Sequence, residues 1–266
     1  MMNKYVLDNA EWLKKYEQNK ELHKINHLEQ IIRLKKSENT IKIIDVGCGN
    51  GRSIKTIKQV FPKSDILAID RYSPNIEYIC VNYPETKTLC ADALDFFASD
   101  NGMIFDVVFF SWSFFDMLHI DNKEERTNKL EGFLENIKKH LSIEGIILVL
   151  QPTKGGNFEK LLSFFIEDSE EMYAYTHSFL ISHDFKGPKT TFPDKNDELA
   201  IWSEFIYKEE EELFDGIASI LFLETGKELL FNEYSQKVNL FRVTNKINNN
   251  LPLVLTDCVN IYLFQK

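Results

Sequence analysis

The chain has 266 residues, 44% of them hydrophobic and 13% aromatic, which is enough to bury the core of one large α/β domain with additions. A formal net charge of −10 gives it no bulk attraction for a phosphate backbone, so no nucleic-acid partner is expected. The four cysteines lack C-x-x-C spacing, and neither a signal-peptide core nor a membrane-spanning apolar run is present. We therefore expect no zinc knuckle, no membrane association and a cytoplasmic location.

The N-terminal segment is predicted to be helical over residues 3–36. Apolar side chains at Leu22, Ile25, Leu28 and Ile32 recur at helical spacing, and Tyr16 lies in the part that precedes them. We treat residues 1–38 as a segment separate from the sheet that follows.

The first strand, predicted at 41–46, leads directly into three alternating glycines. Gly47, Gly49 and Gly51 separate this apolar strand from a helix predicted over 53–60. A strand, a tight glycine turn and a helix start place backbone N–H groups where a ligand can approach closely. The pattern predicts a nucleotide-type site, and a glycine turn without any ligand is the structural alternative.

Asp45 indicates which ligand this turn suits. A dinucleotide fingerprint needs a glycine where Arg52 stands, and a carboxylate at the strand end would repel a pyrophosphate. The same carboxylate suits a ligand that carries an ammonium and a sulfonium. The stretch from Asp45 to Gly51 resembles the first motif of class I S-adenosylmethionine-dependent methyltransferases. The resemblance implies that this stretch contacts the cofactor, Cys48 and Asn50 included, and that 1–38 covers the cofactor as a lid through Tyr16. A helix that simply packs on the sheet is the alternative for 1–38.

Two further acidic positions follow in chain order. A strand predicted at 66–69 ends in Asp70, which is placed to accept both ribose hydroxyls, and Arg71 follows it where a flat side chain can lie against adenine. A third strand, predicted at 86–90, leads to Asp92 and Ala93. The resemblance implies that Asp92 accepts from the adenine amine and that the next backbone N–H meets a ring nitrogen. Capping of a helix by Asp92 is the alternative, and both roles can coexist.

The fourth strand, predicted at 105–110, is followed by residues that face the transferred methyl group in the family. The resemblance implies cofactor contact at Ser111 and substrate contact at Trp112, Phe115, Asp116 and Thr153. Packing in the core is the alternative for Trp112 and Phe115. The Asn/Asp-Pro-Pro-aromatic run of adenine and amide N-methyltransferases is missing, which argues against DNA base methylation. His119 lies one helical turn after Asp116 and is the candidate general base, with a surface histidine as the alternative. No acidic trio indicates a catalytic metal.

The rest of the chain completes an α/β pattern. A helix is predicted over 123–140, a strand over 146–150, an aromatic-rich helical segment over 157–185, a strand over 199–207, two helices at 208–223 and 227–243, and a strand over 257–264. Alternating strands and helices predict a Rossmann-like, seven-stranded, mostly parallel sheet with helices on both faces. The predicted divisions are the lid (1–38), the α/β core (39–154), a helical cap (155–197) and a C-terminal part of the core (198–266).

These features predict a methyltransferase that uses S-adenosylmethionine, releases S-adenosylhomocysteine and methylates oxygen or nitrogen of a small organic acceptor. The rivals are an RNA or protein methyltransferase, a non-enzymatic cofactor-binding protein, an aminopropyl transferase and a nicotinamide-dependent oxidoreductase. Nothing in the sequence predicts an oligomeric state.

Overall fold

The structure of the chain is a computed structural model that describes residues 40–111, 113–114, 122–153, 156–165, 169–189, 199–225, 228–248 and 250–266. The predicted lid at 1–38 lies outside these residues, as do Tyr16, Trp112, Phe115, Asp116 and His119. None of the described helices is long and apolar enough to cross a membrane.

Strands and helices alternate through the first part of the chain. In order, the elements there are β1 (Ile41–Val46), α1 (Arg52–Val60), β2 (Ser64–Asp70), α2 (Ser73–Asn82), β3 (Lys87–Cys90), α3 (Ala93–Ala98), β4 (Phe105–Ser111), α4 (Lys123–Lys139) and β5 (Leu141–Thr153). Helices dominate the second part, which contains α5 (Asn157–Leu162), α6 (Ser169–Ser182), β6 (Ala200–Tyr207), α7 (Glu210–Thr225), α8 (Phe231–Thr244) and β7 (Leu253–Gln265).

The chain forms two compact units. Within the described residues, the larger unit holds 40–151, Ser178–Pro188 and Asn260–Lys266. The smaller unit holds Pro152–His177 and Lys189–Val259.

The strands follow one another in the order β3-β2-β1-β4-β5-β7-β6. The pairs β1–β2, β1–β4, β2–β3 and β4–β5 are all parallel. Six of these strands contribute to the larger unit, and β6 belongs to the smaller one. The predicted Rossmann-like α/β fold with a mostly parallel sheet is confirmed.

Helices cover both faces of the sheet in the larger unit. Asp45 on β1 is hydrogen-bonded to Ser53 on α1, whereas Phe110 on β4 packs against Phe133 on α4 with ring centroids 6.0 Å apart. Phe110 is in register with Val46, the neighbour of Asp45 along β1. Because successive residues of a strand point to opposite faces, α1 and α4 lie on opposite sides of the sheet.

Aromatic rings fill the core on the α4 side. Phe133 packs edge-on against Phe97 of α3 at 5.7 Å and against Phe110, which in turn meets Phe114 at 5.0 Å. All four rings are buried. Edge-to-face pairs of this kind add about 0.5–1.5 kcal/mol beyond the area that they bury.

An ion pair between a buried arginine and a half-buried glutamate joins α7 and α8 in the smaller unit. Arg242 Nη2 donates to Glu210 Oε2 at 2.8 Å, and the Tyr234 hydroxyl donates to Glu210 Oε1 at 2.6 Å. Burial and the Glu210 carboxylate raise the pKa of Tyr234, so the phenol remains a proton donor to Glu210.

Several element boundaries differ from the predicted ones. The serine and proline at 73–74 predict a helix that Ser73 caps, but Tyr72 occupies the N-cap position of α2, and Ser73 and Pro74 already lie in the first helical turn. The predicted fifth strand begins five residues earlier, at Leu141, because the pairing with β4 continues through an irregularity between Phe105 and Val107. The predicted last strand likewise begins earlier, at Leu253.

We expect Phe133→Ala to lower the free energy of unfolding by about 3–5 kcal/mol, because it removes the ring shared by these aromatic pairs and leaves a cavity. Urea denaturation followed by far-UV circular dichroism measures the change. Ile143→Ala is the matched control: Ile143 is 88% exposed, so its truncation should change stability by no more than about 0.5 kcal/mol. Equal effects of the two substitutions would contradict this account of the core.

Candidate functional site

The carboxyl ends of the central strands meet at one edge of the sheet. Val46 on β1 is in register with Ile69 on β2 and with Phe110 on β4, and Asp70 is in register with Cys90 on β3. The strand order reverses direction between β1 and β4, since β2 and β3 lie on one side and β5 on the other. Open α/β sheets bind ligands in the crevice outside the carboxyl ends at such a switch point.

The turn after β1 is built from glycines in the left-handed region. Gly47, Gly49 and Gly51 have φ values of +65°, +52° and +85°. The N–H groups of Gly47 and Cys48 both donate to the Ile69 carbonyl, at 2.9 and 3.1 Å. The turn is therefore fixed against the end of β2, and α1 begins directly after it.

The space around each glycine differs. A Cβ atom on Gly47 would lie 2.5 Å from Ser113 Cβ, and one on Gly51 would lie 2.8 Å from Tyr83 Cε2. A Cβ atom on Gly49 would meet no atom of the described part of the chain within 4 Å. Gly47 and Gly51 thus allow close packing within the protein, whereas Gly49 borders open space where a ligand can approach the backbone.

Asp45 is the buried acid of the site. Its side chain is 0% exposed, and its Oδ2 accepts a 2.5 Å hydrogen bond from Ser53 Oγ. Its Oδ1 has no hydrogen-bond partner among the residues that the structure describes. Burial, the larger influence, and the negative charge of Asp70 raise the pKa of Asp45 to about 7, while the Ser53 hydroxyl opposes that rise. An unpaired, buried carboxylate oxygen is costly unless a cation or another donor meets it.

Two neighbouring turn residues have different exposure. The Cys48 thiol is buried, and burial followed by the charges of Asp45 and Asp70 raises its pKa, so it stays protonated. Asn50 is half-buried.

Asp70 ties the loops at this edge together. Its Oδ2 accepts from the Gly49 N–H at 2.9 Å and from Asn75 Nδ2 at 3.2 Å, and its Oδ1 accepts from the Tyr72 N–H at 2.8 Å. A carboxylate offers about four acceptor positions. One position, on Oδ1, is thus left for a further donor, and Arg71 beside it is exposed.

Asp92 caps a helix, as the structural alternative anticipated. Its Oδ1 accepts from the Leu94 N–H at 2.8 Å at the start of α3. The end of β3 is held beside Asp70, because the Ala91 N–H donates to the Asp70 carbonyl at 3.0 Å. Ala93 is buried in the first turn of α3. Asp92 and Asp70 therefore lie on adjoining loops.

The acceptor side of the predicted site is described only in part. Ser111 ends β4 and is half-buried. The backbone of Thr153 ends β5. Trp112, Phe115, Asp116 and His119 fall outside the described residues, as does Tyr16. Among the residues that are described, no cluster of three or more His, Cys, Asp or Glu side chains is placed to hold a metal ion.

The sequence did not single out four residues that support the site. Ser53 bonds to Asp45, Asn75 bonds to Asp70, Ser113 Oγ donates to the Val46 carbonyl at 2.5 Å, and Tyr83 packs over Gly51. Ser53 had a usable signal, since it lies in the first turn of the helix that follows the glycines. The contacts of Ser113 and Tyr83 depend on residues distant in sequence.

Residues 43–145, which contain β1 to β4 and the start of β5, match a family described as a methyltransferase domain. This region is a methyltransferase domain. The match covers the glycine turn and all three acidic positions, so the predicted family and its cofactor class, S-adenosylmethionine, are confirmed.

The chain is also similar to individual proteins. It is 28% identical over 109 residues to a malonyl-[acyl-carrier protein] O-methyltransferase of Bacillus cereus, a match that takes in 41% of the chain and 36% of that relative's length. The YcgJ protein of Bacillus subtilis has a similar fold, with 11% identity, a TM-score of 0.52 and coverage of 91% of this chain and 98% of that one. A plantazolicin methyltransferase solved with S-adenosylhomocysteine aligns with a TM-score of 0.48 at 15% identity, over 95% of this chain and 90% of that one.

The described residues of the methyltransferase domain fit such a cofactor. Asp45 Oδ1 is a buried acceptor without a partner, which suits an ammonium group. Asp70 has one acceptor position left, which suits a hydroxyl. Gly49, which borders open space, follows Asp45 in the turn, and its N–H donates to the Asp70 carboxylate.

We expect Gly47→Ala to destabilise the ligand-free domain more than Gly49→Ala. Both substitutions impose a left-handed conformation on alanine, which costs about 1–2 kcal/mol. Gly47→Ala adds the overlap with Ser113, for a total of about 2–4 kcal/mol. Guanidinium denaturation without ligand measures both. If Gly49→Ala proved the more damaging, the open space at Gly49 would be refuted.

Proposed function

We propose that this chain transfers a methyl group from S-adenosylmethionine to an oxygen or nitrogen of a small organic acceptor and releases S-adenosylhomocysteine. The observation that carries the proposal is the set of groups at one sheet edge. A buried carboxylate oxygen without a partner, a glycine turn beside open space and a second carboxylate with one acceptor position left lie on consecutive loops. A ligand with an ammonium at one end and a ribose at the other uses all three.

The glycine turn would hold the amino-acid end of the cofactor. We assign the ammonium group to Asp45 Oδ1 and close backbone contact to Gly47, Cys48, Gly49 and Asn50. Because Gly49 borders open space and its neighbours pack inward, backbone rather than side chain is available to the ligand there.

The loops after β2 and β3 would hold the nucleoside. Asp70 would accept from a ribose hydroxyl with its remaining position on Oδ1. Acceptance from both hydroxyls stays a prediction, and it requires one of the three present donors to leave. Arg71 would lie against adenine. Asp92 has a second oxygen beyond the one that caps α3, so capping is compatible with a bond to the adenine amine.

We assign the contacts with the methyl acceptor to the same edge of the sheet. Bound S-adenosylmethionine would supply an electrophilic methyl group on a sulfonium. The task of the chain is then to align the acceptor atom and to exclude water. We propose that Ser111 borders the cofactor and that Trp112, Phe115, Asp116 and Thr153 border the acceptor, while the assignment of His119 as general base stays a prediction.

Two observations bear on the chemical nature of the methyl acceptor: the net charge of the chain and the name of a curated relative. A net charge of −10 disfavours RNA, and the curated relative is named as an O-methyltransferase of a malonyl group on a carrier protein. Both favour a small organic group as acceptor. A carboxylate acceptor needs no general base, whereas a phenol or a protonated amine gains from one.

A transfer assay with methyl-labelled S-adenosylmethionine tests the proposal. The purified protein is incubated with a fractionated metabolite extract in one arm and with RNA and protein fractions in the other. We expect label in small molecules only. Label in macromolecules would select an RNA or protein methyltransferase, and cofactor binding without transfer in any arm would select a non-enzymatic role. Preferential binding of NAD would select an oxidoreductase.

We expect Asp70→Asn to weaken S-adenosylhomocysteine binding by about 1–3 kcal/mol, the cost of losing a charge-assisted hydrogen bond. Isothermal titration calorimetry measures the change. Asp65→Asn on the same strand is the matched control, because Asp65 pairs with Lys87 on the surface, at the end of β2 away from the site. Unchanged affinity in Asp70→Asn would refute the ribose assignment.

A further inference from the structure

We propose that Ser53 is a positioning residue for Asp45: its hydroxyl holds the buried carboxylate in the charged and oriented form that receives an ammonium group. The inference rests on the proposed function, because it concerns how the same site takes its cofactor. It adds a residue outside the acid and glycine motif, and it makes ligand affinity depend on the protonation of one buried group.

The geometry divides the two oxygens of Asp45 between two tasks. Ser53 lies in the first turn of α1 and is 5% exposed, and its Oγ donates to Oδ2 at 2.5 Å. Oδ1 is left without a partner. A carboxylate with one oxygen fixed by a hydroxyl cannot turn freely, so the second oxygen keeps one direction. Ser53 thus orients the acceptor without occupying it.

The surroundings of Asp45 otherwise oppose its negative charge. Its neighbours in register are Ala68 on β2 and Phe109 on β4, which carry no charge. Among the described groups, Asp70 repels the charge, and the nearby Cys48 thiol stays protonated. The Ser53 hydroxyl is the described side chain that favours the carboxylate. Without this hydroxyl, burial and the charge of Asp70 would raise the pKa of Asp45 further.

The pKa of Asp45 lies close to neutral pH. Burial and Asp70, partly offset by Ser53, raise the pKa of Asp45 from 3.8 to about 7. An ammonium group binds the deprotonated form, so affinity should be complete above this pKa and should fall by about tenfold per pH unit well below it. Removal of the Ser53 hydroxyl should move the fall to higher pH.

Calorimetry with S-adenosylhomocysteine between about pH 5.5 and 8.5 tests this. In the wild type we expect affinity to rise with pH through about 7 and then level off. In Ser53→Ala we expect weaker binding near neutral pH and recovery at the alkaline end. Ser53→Thr keeps a hydroxyl and should restore the wild-type midpoint. A carbon-13 NMR titration of the Asp45 carboxyl in ligand-free protein gives the same midpoints without ligand.

Two controls separate ionisation from structure. Methylthioadenosine has the nucleoside and the thioether but no ammonium, so its affinity should not change with pH and should be the same in Ser53→Ala. Ser113→Ala removes another buried serine at the same turn, one that donates to the Val46 carbonyl and not to a carboxylate. It should leave the pH midpoint for S-adenosylhomocysteine unchanged, whatever it does to overall affinity.

The outcomes distinguish the inference from the proposed function. If neither S-adenosylhomocysteine nor methylthioadenosine binds at any pH, the proposed function fails. If both bind but the affinity of S-adenosylhomocysteine does not change with pH, or if Ser53→Ala weakens it by the same factor at every pH, the role of Ser53 is overturned.

Discussion

The attachment of the glycine turn to the end of β2 is the constraint on which the site depends. The Gly47 and Cys48 N–H groups share the Ile69 carbonyl, and the Gly49 N–H bonds to the Asp70 carboxylate. These bonds require parallel β1 and β2 to end at the same level, which their register provides. They also use the N–H groups of Gly47, Cys48 and Gly49 inside the protein. At Gly49 a ligand can therefore approach the backbone closely, although the Gly49 N–H already donates to Asp70.

The two carboxylates at this edge differ in environment, and the difference separates their tasks. Asp70 is half-buried and accepts three hydrogen bonds from neighbouring loops, so its charge is well satisfied without a ligand. Asp45 is fully buried with a single donor and an unpartnered oxygen. Asp70 therefore contributes to the folded loops as well as to binding. The buried charge of Asp45 instead costs free energy, and a cationic ligand group that pairs with it would lower this cost.

The sequence predicted much of this because the determinants are local. Alternating strands and helices, a glycine turn after an apolar strand and an acid at each strand end lie within short windows, and β1 was predicted with its observed bounds. Supporting contacts were not predictable in this way. Ser113 reaches the Val46 carbonyl across 67 positions, and Tyr83 meets Gly51 only after α2 has folded back. The start of β5 was missed because its pairing with β4 is irregular there.

The charge of this edge also selects among nucleotide-like ligands. A pyrophosphate would bring two negative charges toward a turn that lies beside Asp45 and Asp70. The Gly47, Cys48 and Gly49 N–H groups of this turn already have acceptors. In a partly desolvated crevice, like charges a few ångströms apart cost several kcal/mol. A sulfonium and an ammonium are positively charged, so the two carboxylates attract them. The two carboxylates at this edge thus favour a cationic ligand over a dinucleotide, and neutralisation of the more deeply buried Asp45, whose charge Asp70 opposes, is the larger gain.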